Sequence, residues 1–182
     1  VHYVVIHMST SGSSPAHQWA ATDLLTDKNL GADVSLAPAL LDAYCRTDYR
    51  ILLSEPVIMR IGQRSAALDG LLTTQDAKYG LFISAWNPRS RPLSVLYNAA
   101  RHAGLIHGMK QRNLRWLPAM GADETGEWPA EESVFILDAT VLLADRLMTE
   151  WDQNAAVWVE HGKAPALVLH PRFRGGALLR EF

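Results

Sequence analysis

The chain has 182 residues, 48% of them hydrophobic and 20% charged, with a formal net charge of −2. That length suits one domain whose core needs no disulfide or metal staple, and the near-neutral charge gives no global field for nucleic acid or an anionic membrane. Cys45 is the single cysteine, which excludes an internal disulfide framework and suits a reducing cytoplasm.

Val1 to Ile6 is too short for a signal-peptide core, and no stretch approaches the roughly 20 apolar residues of a membrane span. Met8 opens a polar run of Ser, Thr and Gly and reads as the natural start. Residues 1–17 are therefore expected as a disordered tail, and 18–182 as a single globular domain. A short helix is possible within 19–30. Ser35 to Tyr44 reads as a helix, with Leu36, Leu40 and Tyr44 at helical spacing. Tyr49 to Leu53 and Val57 to Ile61 read as two strands bent around Ser54-Glu55-Pro56. Ser65 is placed to cap a helix that ends near Leu72.

Tyr79 to Trp86 is almost continuously apolar, as a central strand covered on both faces should be. It runs through Asn87-Pro88 into a helix over Pro92 to Gly108, with Ser90 as the expected cap. Leu93, Leu96, Tyr97, Ala100 and Gly104 form one stripe of that helix, read as facing the core; Ser94, Asn98, Arg101 and Leu105 form another. Strands follow at Leu114 to Ala119 and Ser133 to Leu137, separated by a Gly- and Pro-containing loop. Asp138 is the expected cap of a helix to Trp151, and Ala155 to Glu160 with Ala166 to Leu169 closes the pattern as a hairpin. Strands and helices alternate only partly. The expected class is α+β, a single compact domain with a mixed or largely antiparallel sheet and packed helices.

No phosphate loop, dinucleotide fingerprint, nucleophile elbow, His-Glu-x-x-His helix or Cys-x-x-Cys pair occurs. The candidates for a site are therefore scattered polar groups. Asn87 stands at the strand-to-helix corner, where its amide can donate and accept; Asn-Pro is equally a turn-maker. Asn98 and Arg101 lie one helical turn apart and can act on one anionic ligand. Arg60, with Gln63 and Arg64, could add donors to the same cleft. Glu131 and Glu132 precede the strand at Ser133; adjacent residues of extended chain point to opposite faces, so one of them reaches any given site, and Glu132 is preferred. His102 and His107 fall on different helix faces, and no third ligand accompanies His161 and His170, so no metal is expected. Trp86 reads as core and Gln153 as a brace of the last helix-to-strand turn. Arg89, Arg91, Arg101, Arg112 and Arg115 beside Trp116 would have to form one surface for nucleic acid to bind, which the net charge disfavours.

The segments Ala43 to Arg50, Arg60 to Ser65, Ser84 to Ser90, Asn98 to Arg101, Trp128 to Ser133 and Gln153 to Ala155 together resemble a bacterial family of small uncharacterised proteins, a domain of unknown function. The resemblance spans about residues 40 to 170. It implies a compact bacterial domain and supplies no activity, cofactor or catalytic residue. The leading expectation is a non-catalytic cytoplasmic module binding a small anionic ligand or a protein partner. The alternative is an enzyme acting on a phosphate-bearing or nucleotide-like substrate, with Arg60, Arg101 and Asn87 orienting it and Glu132 as base.

Overall fold

The computed structural model describes residues 5–6, 36–123 and 129–174. Eight strands form one curled sheet: β1 (Val5–Ile6), β2 (Thr47–Ile51), β3 (Val57–Met59), β4 (Tyr79–Ser84), β5 (Trp116–Asp123), β6 (Glu131–Leu137), β7 (Ala155–Glu160) and β8 (Ala166–Leu169). Their order is β1-β8-β7-β4-β6-β5-β2-β3, and the pairings are antiparallel. Among the described residues four α-helices cover it: α1 (Pro38–Arg46), α2 (Ala66–Thr74), α3 (Val95–Gln111) and α4 (Val141–Glu150). The chain is α+β, as its sequence leads one to expect. Within the expected tail, Val5 and Ile6 pair with Val168 and Leu167; the rest of 1–17 and the possible helix at 19–30 lie outside the described residues.

Period-2 alternation divides the sheet into two faces. Leu81, Ile83, Val134 and Ile136 point one way, against Leu105 and Met109 of α3 and Ala144, Leu147 and Met148 of α4. Phe82, Phe135, Leu137, Val157 and Val159 point the other way, toward α2 and α1. Gly80 sits under the ring of Phe135, where a Cβ would overlap its Cζ. A side chain there would force the ring out of the core.

Ser65 caps α2 by accepting from the Leu68 amide at 3.3 Å, as expected. The other two caps differ from the sequence reading. α3 starts at Ser94, whose Oγ accepts from the Tyr97 amide, and not at Ser90. α4 starts at Thr140, because Asp138 instead accepts from the Lys78 amide at 2.8 Å and pins the start of β4. The stripe of α3 is also reassigned. Asn98, Leu105, Gly108 and Met109 are its buried residues, whereas Leu96 is 82% and Tyr97 63% exposed. Two sequence features compete here, and the one carrying Asn98 packs inward because its polar groups find partners.

Candidate functional site

At one end of the α1 face the residues become small. Ser84 pairs with Ser133, Ser133 also with Ala119, and Gly121 with Glu131, so the sheet floor recedes where Phe82 and Phe135 leave off. Leu40, Ala43 and Tyr44 of α1 roof that gap. The result is a cavity of about 310 Å³, with Ala155, Gln153 and Asn87 along its sides. This volume lies at the lower end of the range for small-molecule pockets.

The cavity is largely apolar, but one wall is a carboxyl group. Glu131 Oε1 accepts from Asn87 Nδ2 at 2.6 Å. Asn87 is fixed in that orientation, because its Oδ1 accepts from the Leu93 amide at 2.9 Å and from Asn98 Nδ2 at 2.8 Å. Asn98 Oδ1 in turn accepts from the Asn87 amide at 2.9 Å. The two asparagines lock each other, and together they aim a single donor at Glu131. Burial pushes the Glu131 carboxyl above its ordinary value, against the opposing hydrogen bond from Asn87.

A second polar chain also reaches the cavity. Arg172 donates to Asn154 Oδ1, which leaves Asn154 Nδ2 to donate to Ser90 Oγ at 3.0 Å. Ser90 Oγ also lies 3.2 Å from the Tyr44 hydroxyl. Burial, only partly offset by its bond to Ser90, raises the Tyr44 phenol.

The corner that joins these chains is strained. Asn87, Arg89 and Ser90 have φ of 44°, 55° and 57°. Such conformations cost about 1–3 kcal/mol each and persist only where surroundings over-determine them. Here they are over-determined. The Arg89 amide donates to the Asp152 carbonyl at 2.8 Å, its guanidinium bonds the Asp152 carboxylate, and the Asn87 and Ser90 side chains are held as described.

The sequence-derived candidates divide accordingly. Asn87 and Asn98 meet, and Asn87 lines the cavity. Arg101 does not enter it: its guanidinium donates to the carbonyls of Ala85 and Trp151, both at 2.6 Å, and clamps α3 to the end of α4. Arg60 is bound to Asp48 at 2.7 Å. Glu132 is exposed on the other face, and the carboxyl in the cavity is its neighbour Glu131. Of the four residues named for an enzyme acting on a phosphate-bearing or nucleotide-like substrate, Asn87 alone lines the cavity. Of the arginines that a nucleic-acid surface would draw on, Arg89, Arg112 and Arg115 pair with Asp152, Glu150 and Asp138, and Arg101 is engaged by carbonyls. Trp86 is buried, and Gln153 braces the corner by donating to the carbonyls of Trp86 and Trp151.

Tyr44, Ser90 and Ser133 are polar cavity residues that sequence reasoning did not name as candidates, and Glu131 lines the cavity in place of the preferred Glu132. The available signal was the run of small residues Ser84, Gly121, Ser133 and Ala155, but it becomes visible only once strand register brings them side by side. Among the described residues no group of His, Cys, Asp or Glu is arranged to hold a metal ion, and no helix is long and apolar enough to cross a membrane.

No curated protein and no solved structure matches the chain. Residues 83–156 match a protein family of unknown function, DUF3293. That span runs from the end of β4 into β7 and so includes Asn87, Asn98 and Glu131, whereas Tyr44 and the rest of α1 lie before it.

Proposed function

We propose that the protein is a small-ligand-binding module, bacterial and cytoplasmic, whose site is the cavity between α1 and the sheet. The observation that carries this reading is the pairing of an apolar cavity with one carboxyl group oriented by a locked asparagine pair. A core that needed only stability would fill the space. Mutually fixed amides and a corner held in strained backbone are characteristic of sites built to keep a geometry. Among the described residues no basic side chain lines the cavity, so the small anionic ligand expected from Asn98, Arg101 and Arg60 has no counter-charge there. The ligand class that suits the walls is mainly apolar, with at least one hydrogen-bond donor.

An environment-sensitive apolar fluorophore and a panel of small apolar alcohols, titrated against the protein with amide chemical shifts as readout, test the reading. Shifts should concentrate at Tyr44, Asn87, Glu131 and Ala155, and should vanish in Ala155→Leu, which puts a larger side chain into the cavity while leaving the polar walls intact. No shift from any probe, or shifts indifferent to Ala155→Leu, would refute it.

A further inference from the structure

We infer that the cavity binds an ammonium-bearing ligand, an aliphatic amine whose nitrogen meets Glu131 and whose hydrocarbon body lies under α1. The inference rests on the binding reading above and names its ligand. It follows from the hydrogen-bond accounting of one side chain.

Glu131 receives one neutral donor, from Asn87, at Oε1. The Asn87 amide is held in that orientation by the two donors that its own Oδ1 accepts, and the hydrogen bond from its Nδ2 goes to Oε1 and not to Oε2. Among the described residues no hydrogen bond reaches Glu131 Oε2, and no Lys, Arg or His lines the cavity. A half-buried carboxylate with one neutral donor is under-compensated, and the upward shift caused by its burial agrees with that.

Three kinds of ligand head group can be compared at this position. An anion adds repulsion and no donor. An alcohol supplies the missing donor but no charge. An ammonium supplies both, and its remaining protons need acceptors nearby. Ser133 Oγ provides one: it donates its own proton to the Glu131 carbonyl at 3.0 Å and keeps its lone pairs. Charge-assisted hydrogen bonds are roughly twice as strong as neutral ones, so the amine should be distinguished clearly from its isosteres.

The test uses three probes of one carbon skeleton: hexylamine, hexan-1-ol and hexanoate. Each is titrated by chemical shift near neutral pH against wild type, Glu131→Gln and Ala155→Leu. Hexylamine should bind about tenfold or more tighter than hexan-1-ol, and hexanoate weakest. Glu131→Gln should erase the preference for the amine while changing hexan-1-ol affinity by no more than about threefold; Gln keeps an acceptor for Asn87, so the wall is preserved. If Gln at this position impairs folding, Glu131→Asp provides the second arm: it keeps the charge but withdraws it, and should weaken hexylamine selectively. Equal binding of the three probes, or a preference for hexan-1-ol or hexanoate, overturns the inference and leaves the cavity reading standing. So does an amine preference that survives both Glu131 variants. Failure of these probes together with the fluorophore removes the cavity reading itself.

Discussion

The two faces of the sheet are drawn from the same strands, yet they end differently. On β6, Val134 and Ile136 turn toward α3 and α4 and are fully buried, part of a face closed by Leu105, Met109, Leu147 and Met148. Their neighbours on the same strand turn the other way and change character along it: Leu137 and Phe135 are core, Ser133 is the cavity floor, and Glu131 is its charged wall. A single strand thus supplies a sealed core on one side and a graded passage from core to site on the other. Native interiors leave few voids larger than a water molecule. The open end of the α1 face is therefore the departure, and α1 is the one of the four described α-helices with no buried residue.

The sharpest way to separate the faces is a matched truncation. Leu147→Ala removes a fully buried side chain from α4 and should cost about 2–5 kcal/mol. Leu40→Ala removes a half-buried one from the roof of the cavity, where space already exists, and should cost about 1 kcal/mol or less. Urea unfolding monitored by tryptophan fluorescence gives both values. Similar costs for the two would mean that α1 is packed as tightly as α4.

The corner comes next. Asn87→Ala loses the acceptor for the Leu93 amide and the buried partner of Asn98, and it leaves a Cβ in the left-handed region, so about 2–4 kcal/mol should be lost. Asn87→Gly loses the same bonds without the conformational penalty. It should therefore be more stable than the alanine variant by about 1–2 kcal/mol. Equal stabilities would show that the strain is carried elsewhere, at Arg89 or Ser90. Both variants should weaken ligand response, because each takes from Glu131 the donor that orients it.

A pair of enlargements gives a smaller contrast. Ala144→Leu on α4 forces extra methylenes into a closed core and should cost about 1–3 kcal/mol. Ala155→Leu enters the cavity and should change stability by less than about 1 kcal/mol in either direction. Thermal melts of the two variants under one buffer decide it.

Much of this architecture is legible in the amino-acid sequence, and the parts that are not share a cause. The α+β class and the middles of the strands follow from short-range patterns, because alternation and turn residues act locally, but β5 runs on to Asp123 and β6 begins at Glu131, where the sequence reads as loop. The meeting of Asn87 with Asn98 is half-legible: the strand, the corner and the next helix adjoin in sequence. The choice between Glu131 and Glu132 is not. Alternation says that the two diverge, but which face holds a cavity depends on Ser84, Gly121 and Ala155, brought together by pairings across three other strands. Hydropathy also misleads at the start of α3, where Leu96 and Tyr97 are exposed and Asn98 is buried, since a polar residue with every bond satisfied can outrank an apolar one for an inward position. Arginine is ambiguous for a similar reason. Arg101 reads as a ligand contact, but its planar fork serves equally well on two backbone carbonyls.

The least perturbing change bears on the wall itself. Glu131→Gln preserves shape and the acceptor for Asn87, so in acid, below the range in which a free carboxyl ionises, the two proteins should melt together. Above that they should part. Burial raises the Glu131 carboxyl in the folded state, so the fold holds that proton more tightly than the unfolded chain does. The stability this contributes is complete below the unfolded value, is lost as pH rises through the folded one, and leaves a net penalty at neutral pH. Glutamine carries no such penalty. The variant should therefore be the more stable of the two near pH 7, by the smallest margin of the four comparisons. Tyr44 and Tyr49 are the other titrating groups coupled to this wall, and both are raised above 10, outside the window. Asp48 and Asp152 titrate in acid but are common to both proteins, so they cancel in the difference. A difference curve that is flat from pH 3 to 8 would mean that water already compensates the carboxylate. A curve of opposite sign would mean that something in the fold stabilises its charge. Saturating hexylamine adds the decisive contrast: by pairing the charge it should raise the wild-type melt selectively and reverse the order of the two proteins at pH 7.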